Sequence, residues 1–352
     1  MLKLINRQSE MIDEVRQAKR MPRLIWQLPI FLLVFFAINI VITIVTTVAV
    51  VAGAILSPEF REIIMSGKIY ELLTGERMMI VQLFITVAET IVAIIYCRLI
   101  EKRSLRSMGF RKKGWFKDYL SGYGIGALMI CGSALICLLA GTLTFRVSVK
   151  PDLVVIGLAF LGYLVQGMAE EVLVRGYLMN SLIGSIKGKA AVPVAVIVSS
   201  VIFAALHLGN PGMTALAFVN LTLAGIVFAL MVIRTDNIWV ACAAHSAWNF
   251  FQGHVIGSQV SGLTQMSSFL EAATQGSAII NGGSFGLEGG LGVTAVELIA
   301  IILMLVIPEK KKAAVEAPAA EAAVEAPAEE AAVEAPAEEA AVEAPAEEAA
   351  AQ

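Results

Sequence analysis

Charge is scarce in this sequence. Of 352 residues only 16% are Asp, Glu, Lys or Arg, where a soluble domain carries about 25%. Hydrophobic residues reach 58% and come in long blocks rather than alternating stretches, which excludes a water-soluble globule. Aspartate occurs only at Asp13, Asp118, Asp152 and Asp236, all at or outside the ends of the apolar runs. A pair of intramembrane catalytic aspartates is thereby excluded. The four cysteines (Cys97, Cys131, Cys137 and Cys242) lie in apolar segments without pairing or metal-type spacing, and read as small buried hydrophobes. There is no H-E-x-x-H, so a zincin-type site has no support. No intramembrane serine sits in a nucleophile-like glycine setting with a matched histidine. Histidine itself occurs three times, at His207, His245 and His254.

What is present in abundance is span-length apolar sequence. A membrane helix needs about 20 apolar residues, and eight such runs occur, at 28–56, 79–100, 119–142, 155–182, 191–208, 214–233, 238–256 and 290–308. The fold class expected is all-α, a polytopic transmembrane helical bundle of about eight spans. The first run is too long for a signal-peptide core and reads as an uncleaved anchor. The N-terminal 23 residues hold six bases and the loop 98–118 holds eight, whereas 257–290 holds none. Positive-inside bias then puts both termini in the cytoplasm, as an even span count requires. Loop 257–290, rich in Gly and Ser, reads as flexible and external. The expected organisation is a basic N-terminal segment (1–27), a transmembrane domain (28–308) and an acidic tail (309–352). That tail repeats "VEAPAEEAA", with one variation in the first copy, every nine residues from Val315, Val324, Val333 and Val342. Proline in each repeat and the lack of apolar surface make it disordered, and with no terminal cysteine it is not a prenylation signal. Without residues 313–352, residues 1–312 carry 26 bases against 18 acids.

The chemistry concentrates in three spans. "LVQGMAEEVLVRGYLMNSL" places Glu170, Glu171 and Arg175 inside an apolar segment. An ionised side chain at mid-bilayer costs roughly 2.5–3.5 kcal/mol, so such a group needs a partner or a task. Glu171 and Arg175 are four apart and form an i,i+4 pair, leaving Glu170 turned about 100° away. In "VIFAALHLGN" Phe203 and His207 share a helix face, and in "CAAHSAWNFF" so do His245 and Asn249. At about 1.5 Å per residue, Glu170, His207 and His245 lie about 16–21 Å from the ends of their spans, at comparable depths. His254, near a helix end, reads as a packing histidine. Glu89 and Glu297, without a neighbouring motif, read as interhelical hydrogen-bond formers.

The ordered set "EEVLVRG", "FAALH", "HSAWN" resembles the CPBP family of intramembrane proteases, which comprises CAAX prenyl endopeptidases, bacteriocin-processing enzymes and lysostaphin-resistance-like proteins. Its pattern E-E-x-x-x-R, F-x-x-x-H, H-x-x-x-N/D is matched at Glu170, Glu171, Arg175, Phe203, His207, His245 and Asn249. "LRSMGF" ahead of the third span is similar to the family's lead-in, and the resemblance covers about residues 80–256. It implies hydrolysis of a peptide bond in a membrane-associated peptide or protein, in the cell membrane and without a nucleic-acid partner. The expected roles are Glu170 as general base with His207 assisting, His245 and Asn249 as oxyanion donors, and Glu171 with Arg175 orienting them. The family has been described both as metal-dependent and as metal-free. Glu170, His207 and His245 would be the Zn²⁺ ligands in the first case; the metal-free form is favoured. A non-proteolytic scaffold or immunity protein of the same fold and a proton-coupled transporter are the rival classes. The transporter predicts internal repeat symmetry, which residues 28–308 lack.

Overall fold

The computed structural model describes residues 9–68, 75–263 and 267–308; the repeat tail expected over 309–352 lies outside the described residues. Helices α1 (Glu10–Arg16), α2 (Leu24–Leu56) and α3 (Pro58–Met65) lead into α4 (Glu76–Ile100) and α5 (Trp115–Leu139). Strand β1 (Leu143–Val147) precedes α6 (Leu153–Ser185), α7 (Ala191–Ala205), α8 (Ala215–Thr235) and α9 (Trp239–Phe250). Strand β2 (Leu270–Thr274) and α10 (Leu291–Val306) follow. Five of these, α2, α4, α5, α6 and α8, are long and apolar enough to cross a membrane, and the chain is a multi-pass membrane protein. Three expected spans are shorter: α7 has 15 residues, α10 has 16, and α9 has 12, extended by a π-helical turn, Phe251–Ile256.

Two helices form the centre. In α6 every residue over 171–183 is buried, and in α9 every residue over 240–249. Lipid-facing helices do the opposite: α2 buries only Gln27, Phe31 and Ile38. Apolar residues cover α2 on all sides because its surroundings are apolar on all sides but one.

Small residues let α9 sit deep. A Cβ on Gly122 of α5 would stand 2.2 Å from the Val240 carbonyl oxygen, and one on Gly126 would stand 2.1 Å from that of Ala244. On the other side, a Cβ at Gly167 of α6 would meet the Ser246 hydroxyl at 2.5 Å. Backbone rests on backbone here, the membrane-helix packing that glycine four residues apart permits. Asp152 caps α6 through the amides of Val154 and Val155. Midway, α6 widens into a π-helical turn at Val172–Met179, directly after the two glutamates; such turns recur at functional sites.

Several of the bases in the 98–118 loop are tied into structure. Arg103 is buried with Glu101 at 2.5 Å and reaches the Gly176 and Tyr177 carbonyls. Arg106 pairs with Asp236, which ends α8 in the left-handed region at φ 57°. Gly109 of the "LRSMGF" stretch, at φ 90°, lies against Ile238 at the start of α9, where a Cβ would meet the Ile238 amide nitrogen at 3.1 Å.

Two expectations change. The segment after α9 is not a flexible loop over its described residues: β2 pairs antiparallel with β1 from Leu143↔Thr274 to Val147↔Leu270, and Phe285, Leu287 and Glu288 are buried. Its glycines supply tight turns rather than mobility. Gly282, at φ 86°, leaves only 1.8 Å between a would-be Cβ and the Gly286 carbonyl oxygen. Second, Cys131 is exposed on α5, whereas Cys97, Cys137 and Cys242 are buried; an apolar helix side chain facing lipid needs no protein cover.

Candidate active site

The three motif-bearing spans converge. His207 Nε2 lies 4.0 Å and His245 Nε2 3.8 Å from Glu170 Oε2. His207 ends α7's exit turn, its Nδ1 2.8 Å from the Phe203 carbonyl. His245 Nδ1 lies 3.0 Å from Glu171 Oε1. Each Nδ1 faces an oxygen that can only accept, so each Nδ1–H donates, and in the neutral imidazole each Nε2 keeps its lone pair. Glu170 Oε2 is buried and has no hydrogen-bond partner among the described residues. Three acceptor atoms thus face one another with no donor between them. That arrangement calls for a proton-bearing or positively charged occupant, and it adjoins a cavity of about 90 Å³, room for a handful of waters.

The second glutamate has a different environment. Glu171 and Arg175 are fully buried and joined at 2.8 Å. Arg175 also donates to the Gly225 carbonyl at 3.1 Å, and its guanidinium lies 4.5 Å from the Phe203 ring centre and 5.6 Å from that of Phe228. Phe228 stacks on His245 at 5.0 Å and 16°. The expected i,i+4 pair is present, and through Glu171 it fixes the orientation of His245. Such outer partners set the tautomer and ring plane of a functional histidine.

Asn249 takes a position one step removed from Glu170. Its amide donates to Gln166 Oε1 at 3.0 Å, and the Gln166 amide donates in turn to Glu170 Oε1. Gln166 thereby occupies one carboxylate oxygen and leaves the other facing the histidines. Sequence reasoning missed Gln166, although it stands four residues before Glu170 and the same helical spacing that paired Glu171 with Arg175 points to it. Phe228 and Glu288 were also missed, and neither carries a local signal. Glu297, expected to bond between helices, lines the cavity with no partner at its Oε2 among the described residues. Glu89 faces a separate groove between α2 and α4. His254 packs as expected, stacked on Phe250 with Nδ1 2.7 Å from the Ser267 carbonyl.

The donor set of Glu170, His207 and His245 has the chemistry of a zinc site, but its spacing is wide. Ligands about 2.0–2.1 Å from tetrahedral zinc stand about 3.4 Å apart, against 3.8 and 4.0 Å here. As placed, no group of three His, Cys, Asp or Glu side chains among the described residues is arranged to hold a metal ion.

Residues 152–251, from the cap of α6 through α9, match the family model described as type II CAAX prenyl endopeptidase Rce1-like. The resemblance read from the motifs is thus supported over residues 152–251, which in this multi-pass membrane protein are similar to the Rce1-like family. No curated protein and no solved structure matches the chain.

Proposed function

We propose that the chain is an intramembrane endopeptidase of the cell membrane that hydrolyses a peptide bond in a membrane-associated peptide or protein. CAAX-type processing or trimming of a peptide precursor is the substrate class meant. The reading is carried by the convergence of Glu170 Oε2, His207 Nε2 and His245 Nε2 on a space without a donor. A water there donates one hydrogen to Glu170 and another to an imidazole, which turns its lone pair outward as nucleophile. Glu170 takes the proton as the water oxygen bonds to the scissile carbonyl carbon. The proton then passes to the leaving nitrogen as the C–N bond breaks.

His207 holds the water with Glu170. His245, when it carries a second proton on Nε2, and the second N–H of Asn249 donate to the developing oxyanion. Glu171 and Arg175 keep His245 in place. The spacing supports the metal-free form, in which water rather than Zn²⁺ fills the space between the three groups. The protease core runs over about residues 80–256, with both termini cytoplasmic and 309–352 as an appended acidic tail. The test compares membrane proteomes of cells carrying the wild-type chain or Glu170→Gln. A cleavage product present in the first and missing in the second supports the assignment; identical products in both reject it.

A further inference from the structure

The cavity beside Glu170 holds more acid than the hydrolysis uses. Its wall includes Glu170, Glu288 and Glu297 together with His207 and His245 and, among the described residues, no Lys or Arg. Arg175 stands behind Phe203 and Phe228, already paired with Glu171. Glu288 and Glu297 come from the segment after α9 and from α10, outside residues 152–251.

Both are built into place. Glu288 Oε2 accepts from the Ser261 amide at 2.5 Å and the Ser261 hydroxyl at 3.0 Å. Asn220 of α8 clamps the backbone beside it, donating to the Glu288 carbonyl at 2.7 Å and the Gly290 carbonyl at 2.9 Å. The Thr294 hydroxyl fixes Asn220 in turn at 2.7 Å. Glu297 is 1% exposed, lines the same cavity, and has a buried Oε2 that no described residue satisfies. A buried carboxylate without a counter-charge is unfavourable by several kcal/mol. Two acidic side chains at one cavity wall, one with an open oxygen, are stabilised in their charged form by a compact cation seated beside them, and a neutral or acidic group does not supply that stabilisation.

We propose that Glu288 and Glu297 form a subsite for an alkylammonium group of the peptide substrate, either a lysine side chain or a free N-terminus. This rests on the endopeptidase reading. The cavity, about 90 Å³, suits an ammonium head rather than a bulky one. When the substrate is seated, its cation replaces the missing donor at Glu297 and sets which peptide bond stands over Glu170.

The test uses the full chain with Glu170→Gln, so that binding is read without turnover, and fluorescent peptides that carry lysine or norleucine at each position in turn. At one position the lysine peptide should bind at least about tenfold tighter. That preference should vanish when Glu297→Gln or Glu288→Gln is added and return with Glu297→Asp, which keeps the charge. If lysine and norleucine peptides bind equally and acetylating the N-terminus weakens both by a similar factor, the terminal ammonium is the cation. Equal binding of lysine, norleucine and acetylated peptides, or a preference that survives both glutamine changes, overturns the subsite. Failure of the wild-type chain to cleave any of these peptides speaks against the endopeptidase reading alone, because the binding arm does not depend on cleavage.

Discussion

Glu170 and Glu171 are neighbours in sequence and opposites in environment. Glu171 is wholly buried and spends one oxygen on Arg175 and His245. Glu170 is about one-fifth exposed at its side chain, has one oxygen held by Gln166, and turns the other toward two imidazoles with no donor between. Each has an Oε2 without a hydrogen-bond partner among the described residues, but only that of Glu170 faces two imidazoles, which makes it the one available for reaction. The 100° turn between successive helix residues is what separates the roles: one glutamate points into the packed interface with α8 and α9, the other into the cavity.

The comparison is broken most directly at Glu170. Glu170→Gln keeps the size and the Gln166 contact but cannot accept a proton. Turnover of a cleavable reporter should fall by about 10³ or more while the amount of inserted protein stays unchanged. Near wild-type cleavage would move the base to Glu171 and erase the distinction.

At the structural glutamate the effect should appear in stability. Glu171→Ala and Arg175→Ala each leave an uncompensated buried charge, expected to cost about 3–5 kcal/mol. Both should lower the midpoint of thermal unfolding in detergent, and the double variant should be milder than the sum. Strict additivity in that cycle would dissolve the pair.

Asn249 and Gln166 sharpen the contrast from the cavity side. Asn249→Ala should reduce kcat/KM by about 10²–10³ with a small change in unfolding midpoint. A large stability loss with unchanged kcat/KM would place Asn249 with Glu171 instead. A chelator should have little effect on purified active protein; near-stoichiometric zinc that falls together with activity in His207→Ala and His245→Ala would show that the two imidazoles and Glu170 close around a metal. The smallest effect is expected from deleting residues 313–352, which should leave insertion and turnover nearly unchanged; a purified truncated chain without activity would make the tail part of the enzyme.

Local pairs are legible in the order of residues. Glu171–Arg175 is a contact of one helix with itself, and so is Gln166–Glu170, which the same rule covers. Rise per residue allows His207 and His245 comparable depths. The acids beyond α9 are not legible in this way, because a Gly-rich segment reads as flexible until its turns are seen to close.

By itself, then, the sequence determined that this is a membrane protein with an E-E-x-x-x-R, F-x-x-x-H, H-x-x-x-N constellation, because apolar run length and helical spacing are local quantities. Tertiary structure alone decided which glutamate turns an open oxygen toward the two imidazoles, that Phe228 stacks on His245, and that Glu288 and Glu297 join the cavity. Those depend on how closely helices approach. The approach is set by Gly122 and Gly126 meeting the backbone of Val240 and Ala244, a fit between distant segments that no single stretch of chain encodes.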